Sequence, residues 1–316
     1  MKSPRLIQIA GANSHATRAE LIAGLGAANP ALSPKYLYDA LGSRLFAAIT
    51  ELPEYYPTRT EALIFKQHLA EIAEAVGPAE TLVDLGAGNC EKGARLLNPL
   101  GVRRYVAVDI SADYLREALD RLQFEHPGID LLGVGLDFSE RLALPEGVGP
   151  GPLTLFYPGS SIGNFTPEQA LAFLREVHAA CQGGRLLIGV DLVKSERVLE
   201  PAYDDALGVT AAFNRNLLLH LNRLIGADFD IGDWRHVAFF NREASRIEMH
   251  LEALRDVEVR WPEGGRQFAR SERIHTENSY KWRLENFSAL LASAGFRQPR
   301  AWRDPDDWFA VFAAEA

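Results

Sequence analysis

The sequence has little of what several classes of protein depend on. It has two cysteines among 316 residues, too few for a disulfide framework, so we expect a reducing, cytoplasmic setting. No apolar run approaches the roughly 18–20 residues of a membrane span. The first residues, MKSPRLIQIAGANS, also lack the apolar segment of a signal peptide. These features predict neither a membrane-bound nor a secreted protein.

Basic charge and metal-ligand patterns are scarce as well. The formal net charge is −9, which argues against nucleic acid or an anionic membrane as the main partner. The eight histidines are scattered, and none has metal-ligand spacing with a cysteine or an acid. The sequence therefore predicts no metal site and no nucleic-acid partner.

Apolar strands alternate with helical patterns from about residue 60. Runs such as TLVDLGAG, YVAVDIS, LLGVGLDFS, LTLFYPG and RLLIGVDLV are separated by amphipathic stretches, which indicates an α/β fold with a parallel, doubly wound sheet. The alternation stops near residue 196. There, a helical stretch is followed by HVAFF and RIEMHLEAL, which alternate like antiparallel strands that DVEVRW extends.

Two domains follow from this pattern. Residues 60–196 plus 283–316 would form a Rossmann-like doubly wound sheet. Residues 1–59 plus 197–282 would form a second, mixed α+β domain. Because ligands of doubly wound sheets bind at the carboxyl ends of the strands, we expect the site there, facing the second domain.

The loop after the first of these strands is rich in glycine. VDLGAGNCEKG places Gly86 and Gly88 between a strand and a helix, where they let the backbone pass close to a ligand. Asp109 ends the next strand, where an acid can accept hydrogen bonds from a ribose. The third glycine of a dinucleotide fingerprint is replaced by Glu91, which disfavours a nicotinamide cofactor.

Other acids near these strand ends favour a different cofactor. Asp84 precedes the first glycine by two residues, and this arrangement resembles the first motif of class I methyltransferases, which bind S-adenosylmethionine. Asp137 and Phe138 end the third strand, where this fold commonly holds an adenine. The alternative is that the glycines only form a tight turn between strand and helix.

A second loop, FYPGSSIGNF, follows the fourth strand and is unusually rich in small residues. Gly159, Ser161 and Asn164 lie just past the apolar run LTLFY. Either this loop is loosely structured, or a ligand approaches its backbone closely.

Taken together, the longer motifs resemble a known family. They are LSPKYLYDALGSRLFAAITELPEYYPTRTE, VDLGAGNCEKG, FYPGSSIGNF, AYDDALGVTAAFNRN, RIEMHL and TENSYKW. The chain is similar over nearly its whole length to histidine-specific, S-adenosylmethionine-dependent methyltransferases. These enzymes make hercynine, the trimethylated histidine that begins ergothioneine biosynthesis.

The resemblance implies a monomer whose Rossmann-like domain binds S-adenosylmethionine and whose second domain binds the substrate. It implies donor contacts at Tyr38, Gly86, Gly88 and Lys92 near the methionine end, Asp109 at the ribose, and Asp137 and Phe138 at the adenine. It implies substrate contacts at Asn164 and Tyr203 for the carboxylate, Gly159 and Ser161 near the amine, and Tyr55, Met249, Glu277 and Ser279 around the side chain. A carboxylate and a hydroxyl can together read both ring nitrogens of an imidazole.

Two other functions stay open from the sequence. One is a methyltransferase of the same fold that acts on another small amino acid or amine. The other is a nicotinamide-dependent oxidoreductase or a catalytically silent binding module.

Overall fold

The chain divides into two compact units in the computed structural model, which describes residues 2–9, 14–139, 141–149 and 151–316. The first unit consists of Met1–Ile9, Pro57–Val193 and Tyr280–Ala316, and the second of Ala10–Tyr56 and Lys194–Ser279. One difference from the sequence-based division lies at the amino terminus. The strand Arg5–Gln8 belongs to the first unit because its backbone pairs with Asp130–Gly135.

The strands and helices are numbered in chain order. The strands are β1 Arg5–Gln8, β2 Thr81–Leu85, β3 Arg104–Asp109, β4 Asp130–Gly135, β5 Thr154–Tyr157, β6 Arg185–Asp191, β7 Trp234–Asn241, β8 Arg246–Ala253, β9 Val257–Trp261, β10 Gly264–Phe268, β11 Arg273–Tyr280, β12 Arg297–Arg303 and β13 Phe309–Glu315. The helices are α1 Ser14–Gly26, α2 Ala40–Thr50, α3 Tyr56–Val76, α4 Glu91–Leu97, α5 Ala112–Glu125, α6 Pro167–Cys181, α7 Glu196–Leu199, α8 Val209–Ile225 and α9 Leu284–Ser293.

The first unit is built on one sheet with the order β1-β4-β3-β2-β5-β6-β13-β12. The strands from β1 to β6 in this order pair in parallel, as the alternation of strands and helices predicts. At the far edge, β13 pairs antiparallel with both β6 and β12. The strand order reverses between β2 and β5, so the loops that follow these two strands lie where ligands of such sheets bind.

Both faces of this sheet are covered by apolar side chains. In β2, Leu82 packs into one buried cluster, and Val83 and Leu85 pack into the other. Successive side chains of a strand point to opposite faces, so a strand covered on both sides is apolar throughout. This explains why the central strands read as continuous apolar runs.

Helix α6 begins at a capping box. The Thr166 side chain accepts a hydrogen bond from the amide of Gln169, and the Gln169 side chain reaches back to the Thr166 amide. This reciprocal cap fixes the start of α6 directly after the FYPGSSIGNF loop.

The second unit combines helices with two small sheets. One sheet has the order β11-β8-β7, with β7 and β8 paired antiparallel as predicted. The segment DVEVRW was expected to extend this sheet, but β9 instead pairs with β10 in a separate hairpin. Among the described helices of the whole chain, none has both the length and the apolar character that a membrane span requires.

Candidate functional site

The backbone after β2 turns sharply through two glycines in the left-handed region. Gly86 has φ of +72° and Gly88 has φ of +52°, conformations that favour glycine. The amide of Gly88 donates a hydrogen bond of 2.9 Å to Oδ2 of Asp109, and the amide of Ser111 donates one of 2.9 Å to Oδ1. The Asp109 carboxylate therefore ties the glycine loop to the end of β3. Burial raises the pKa of Asp109 above its ordinary value.

The loop after β4 approaches the same glycines. A Cβ atom placed on Gly86 would lie 3.9 Å from the ring of Phe138, so the two loops touch. Phe138 packs edge-on against Tyr157 at the end of β5, with ring centroids 5.9 Å apart. Next to it, Oδ1 of Asp137 accepts a hydrogen bond of 2.9 Å from the amide of Ser139. The Phe138 ring therefore lies beside the glycine loop.

The loop after β5 brings three predicted residues together. Gly159 has φ of +75°, and a Cβ atom there would lie 3.1 Å from Nζ of Lys92 and 3.9 Å from Oγ of Ser161. Asn164 ends the 3₁₀ turn that Ser161 begins, and its side chain is half-buried. The small residues of this loop therefore belong to an ordered turn.

A buried acid that the sequence analysis did not single out connects two of these residues. Glu61 of α3 is 1% exposed. Its Oε1 accepts a hydrogen bond of 2.8 Å from the amide of Gly159, and its Oε2 accepts one of 2.6 Å from Nζ of Lys92. Lys92 is thereby held against the loop that contains Gly159. Glu61 is the last residue of the motif LPEYYPTRTE, and its place in that motif is the feature by which the sequence could have identified it.

Two further buried acids lie in the first unit. Asp84 is fully buried, and the Tyr105 hydroxyl donates a hydrogen bond of 2.6 Å to its Oδ2. Burial raises the pKa of Asp84 to about 7, although the bond from Tyr105 opposes that rise. Asp191 at the end of β6 forms a 2.7 Å ion pair with Lys281, and both side chains are at most 1% exposed. Asp84 lies within β2 and Asp191 at the end of β6.

Aromatic contacts in the second unit connect four predicted site residues. Tyr38 packs edge-on against Phe46 at 5.5 Å, and Phe46 packs against Tyr55 at 6.0 Å. Tyr55 in turn contacts Tyr203 at 6.3 Å, and the Tyr203 hydroxyl lies 2.7 Å from Oγ of Ser279. Residues from four separate stretches of the sequence are therefore joined in one row.

The remaining two predicted residues of this unit are buried on neighbouring strands. Met249 of β8 is 1% exposed, and its carbonyl accepts a hydrogen bond of 3.0 Å from Thr276 of β11. Glu277 is 8% exposed and Ser279 is 6% exposed, so both point into the interior, as residues two apart on a strand do. A buried carboxylate and a buried hydroxyl therefore share one side of β11.

Two polar residues absent from the sequence-based predictions hold Tyr203 in place. The side-chain amide of Asn214 donates a hydrogen bond of 2.9 Å to Nδ1 of His236. Nε2 of His236 therefore carries the ring hydrogen and donates a hydrogen bond of 2.8 Å to the Tyr203 carbonyl. Burial lowers the pKa of His236, which keeps the ring neutral. Asn214 lies within the motif AYDDALGVTAAFNRN, whereas His236 belongs to no motif and is identified only by the fold.

The comparisons with known proteins point to one family. The sequence pattern of the family described as histidine-specific methyltransferase, SAM-dependent, matches residues 17–316. The chain belongs to this family. A histidine N-alpha-methyltransferase of Mycolicibacterium smegmatis is 46% identical over 308 residues, which is 95% of this chain and 95% of that protein. The cofactor predicted from the glycine loop, S-adenosylmethionine, is confirmed by the family.

Two fungal relatives widen the comparison. Ergothioneine biosynthesis protein 1 of Neurospora crassa is 32% identical over 276 residues, which is 84% of this chain and 31% of that protein. N-methyltransferase fsqC of Aspergillus fumigatus is 28% identical over 297 residues, which is 91% of this chain and 80% of that protein. The family's fold therefore occurs in proteins that carry more than one functional name.

The second unit also contains a group of side chains suited to a metal ion, although the histidine spacing predicted none. One ligand-type atom from each of Glu248, His250 and His275 lies within 4.8 Å of the others. His275 comes from β11 and the other two residues from β8, so their grouping depends on strand pairing. The two-residue spacing of Glu248 and His250 already places them on one face of β8, whereas only the fold adds His275.

Proposed function

We propose that this chain transfers methyl groups from S-adenosylmethionine to the α-amino group of L-histidine and continues to the trimethylated product, hercynine. The observation that carries the proposal is the family match over residues 17–316, together with the relative of that name at 46% identity. The relative from Neurospora crassa, named ergothioneine biosynthesis protein 1, supports a place in ergothioneine biosynthesis.

The loops of the first unit fit the methyl donor. When bound, S-adenosylmethionine supplies a methyl group on a sulfonium centre. The glycine loop has room for the donor beside Gly88, because no described atom lies within 4 Å of where a Cβ would be. We assign the ribose to Asp109, the adenine to Asp137 and Phe138, and the methionine end to Lys92 with the Gly86 loop. The role of Tyr38 at the methionine end stays a prediction.

The proposed substrate contacts follow from the chemistry of histidine. In the second unit, Glu277 and Ser279 would bind the imidazole nitrogens, with Tyr55 and Met249 around the ring. For the α-carboxylate, the amide of Asn164 in the first unit and the hydroxyl of Tyr203 in the second stay predictions. In the first unit, Gly159 and Ser161 would lie near the amine. The first unit is thus proposed as the donor-binding unit and the second as the unit that recognises the substrate side chain.

Positioning of the amine is the main catalytic contribution that we assign to the protein. The amine attacks only when it is unprotonated, so its proton must leave before each transfer, and water can accept it. Holding the nucleophile in line with the methyl group lowers the barrier by removing the entropy of encounter. As methyl groups accumulate, the amine becomes a fixed cation, which tyrosine faces such as that of Tyr55 tolerate.

Mass spectrometry of the twenty amino acids, each incubated with the protein and donor, tests the proposal. We expect mono-, di- and trimethylated histidine. Methylation of another amino acid or amine, with none of histidine, would overturn the proposal. It would favour the second candidate, a methyltransferase of the same fold with another small substrate, for which the relative named fsqC is the supporting observation.

Glu277→Gln tests the imidazole contact separately. We expect the KM for histidine to rise while the affinity for S-adenosylhomocysteine, measured by calorimetry, stays unchanged. Glu243→Gln is the matched control, since Glu243 is an exposed acid of the same unit. An unchanged KM in the Glu277 variant would contradict the assigned contact.

We also propose that the protein is a cytoplasmic monomer. Both cysteines, Cys90 and Cys181, are free and buried, which supports a reducing compartment. Sedimentation at the mass of a single chain is expected, and a stable dimer at micromolar concentration would refute the monomer.

A further inference from the structure

The group formed by Glu248, His250 and His275 lies in the second unit, on neighbouring strands of the sheet β11-β8-β7. Nε2 of His250 lies 3.0 Å from Oε2 of Glu248. Atoms that bind the same zinc ion at about 2.0–2.2 Å are themselves about 3 Å apart, so this pair already has the required spacing. His275 completes the group within 4.8 Å, which small side-chain rotations can close.

Two of the three side chains are oriented by other hydrogen bonds. Nε2 of His275 donates to the carbonyl of Glu277 at 3.0 Å, so the lone pair of its neutral ring is on Nδ1. Oε1 of Glu248 accepts hydrogen bonds of 2.9 Å from Asn241 and 2.8 Å from Arg246, which leaves Oε2 for other partners. Metal-binding histidines and carboxylates are characteristically oriented in this way by a second hydrogen bond.

His250 has the least satisfied side chain of the group. Its ring lies parallel to that of Phe239, with centroids 5.4 Å apart, and 4.9 Å from that of His275. Its Nδ1 is buried and has no hydrogen-bond partner among the residues that the structure describes. Nε2 is the nitrogen that faces Glu248, so an ion shared with Oε2 would bind Nε2, and Nδ1 would then carry the ring proton.

A cavity gives the group access and room for water. It has a volume of about 470 Å³. Its lining includes His250, His275, Asn29, Ser271, Glu272 and Arg273. The cations of Arg246 and Arg273 lie nearby and oppose a metal ion, so the affinity should be moderate.

We propose that Glu248, His250 and His275 bind one divalent transition-metal ion, for which Zn²⁺ is the probe. Two imidazoles and one carboxylate form a ligand set that suits zinc, iron, cobalt or nickel, with water in the remaining positions. Because the ligands come from β8 and β11, the ion would join these two strands. Met249 and Glu277 lie on the same strands.

Calorimetric titration of metal-free protein with Zn²⁺, in the absence of histidine, tests the site. We expect one ion per chain for the unmodified protein. Affinity should fall at least about tenfold in His250→Gln, His275→Gln and Glu248→Gln. His68→Gln is the matched control, because His68 also contacts an acid, Glu71, at 2.9 Å but belongs to no such group. Failure of excess Zn²⁺ to bind, or equal binding by all variants, would overturn the proposal.

A second measurement requires no variant of the site. Co²⁺ should produce visible absorption bands typical of nitrogen ligation. Imidazole resonances of His250 and His275, and not that of His68, should shift when Zn²⁺ is added. Shifts confined to other histidines would show that zinc binds elsewhere and would refute the assignment even if the variants misfold.

Discussion

Replacement of Glu61 by glutamine is the most direct test of how the first unit holds its loops. Glu61 accepts hydrogen bonds from the Gly159 amide and the Lys92 ammonium. Glutamine keeps an oxygen for the amide, but its NH₂ group would face the ammonium with no acceptor. The substitution therefore removes one charge-assisted hydrogen bond while keeping the shape and the second contact.

The size of the effect follows from the burial of the two partners. A fully buried ion pair that loses one partner costs about 3–5 kcal/mol. Here the Glu61 side chain is 2% exposed, but that of Lys92 is 30% exposed, so water can solvate the freed ammonium. The cost should therefore be the smaller one of losing a single hydrogen bond to a charged group. We expect the free energy of unfolding to fall by about 1.5–3 kcal/mol.

Urea unfolding of a double-mutant cycle measures this loss. Glu61→Gln, Lys92→Met and the double variant should show a coupling free energy of about 1.5–3 kcal/mol. Glu74→Gln is the control, since Glu74 is an exposed acid on the same helix. If the two substitutions add to within about 0.5 kcal/mol, the ion pair does not stabilise the protein and the reasoning fails.

Three other predictions concern buried polar groups. Burial raises the pKa of Asp84 to about 7, so the folded protein favours the protonated carboxyl. The stabilisation by this carboxyl is fully present below about pH 4 and is lost as the pH rises to about 7. Asp84→Asn should therefore gain stability relative to the unmodified protein between pH 4 and 8 in urea unfolding, and a constant difference would contradict this. Lys281→Met leaves Asp191 charged and buried and should cost about 3–5 kcal/mol, much of which Asp191→Asn should restore in the double variant. Tyr203→Phe should lower the free energy of unfolding by about 1 kcal/mol. Adding Ser279→Ala in a double variant should lower it little further, because both substitutions remove the same 2.7 Å hydrogen bond. Fully additive losses would argue against that bond.

Most of the first unit could be predicted from the pattern of the sequence. The parallel strands β2 to β6 read as apolar runs because they are buried on both faces, and the helices between them have the 3.6-residue period. Strand β12 escaped prediction because its sequence, RQPRAWR, is polar and exposed at the sheet edge. Strand β1 is short and distant in sequence from its partner β4, so local pattern could not assign it to the sheet.

The candidate site was partly readable from motifs. The two glycine loops could be recognised because positive φ angles and close approach favour glycine. Glu61 lies inside a motif, but its burial could not be predicted, since an acid within a helical pattern is normally a solvated surface residue. Only its position against Lys92 and the Gly159 amide shows that it is buried and paired.

The sequence by itself determined the α/β class, the two glycine loops at strand ends and the family, because these depend on local period and short motifs. The tertiary structure decided which distant side chains meet. Strand pairing brings His275 to Glu248 and His250, helix packing buries Glu61, and a row of rings connects Tyr38 to Ser279. Such contacts join residues tens to hundreds of positions apart, and each forms only when the cores between them are packed.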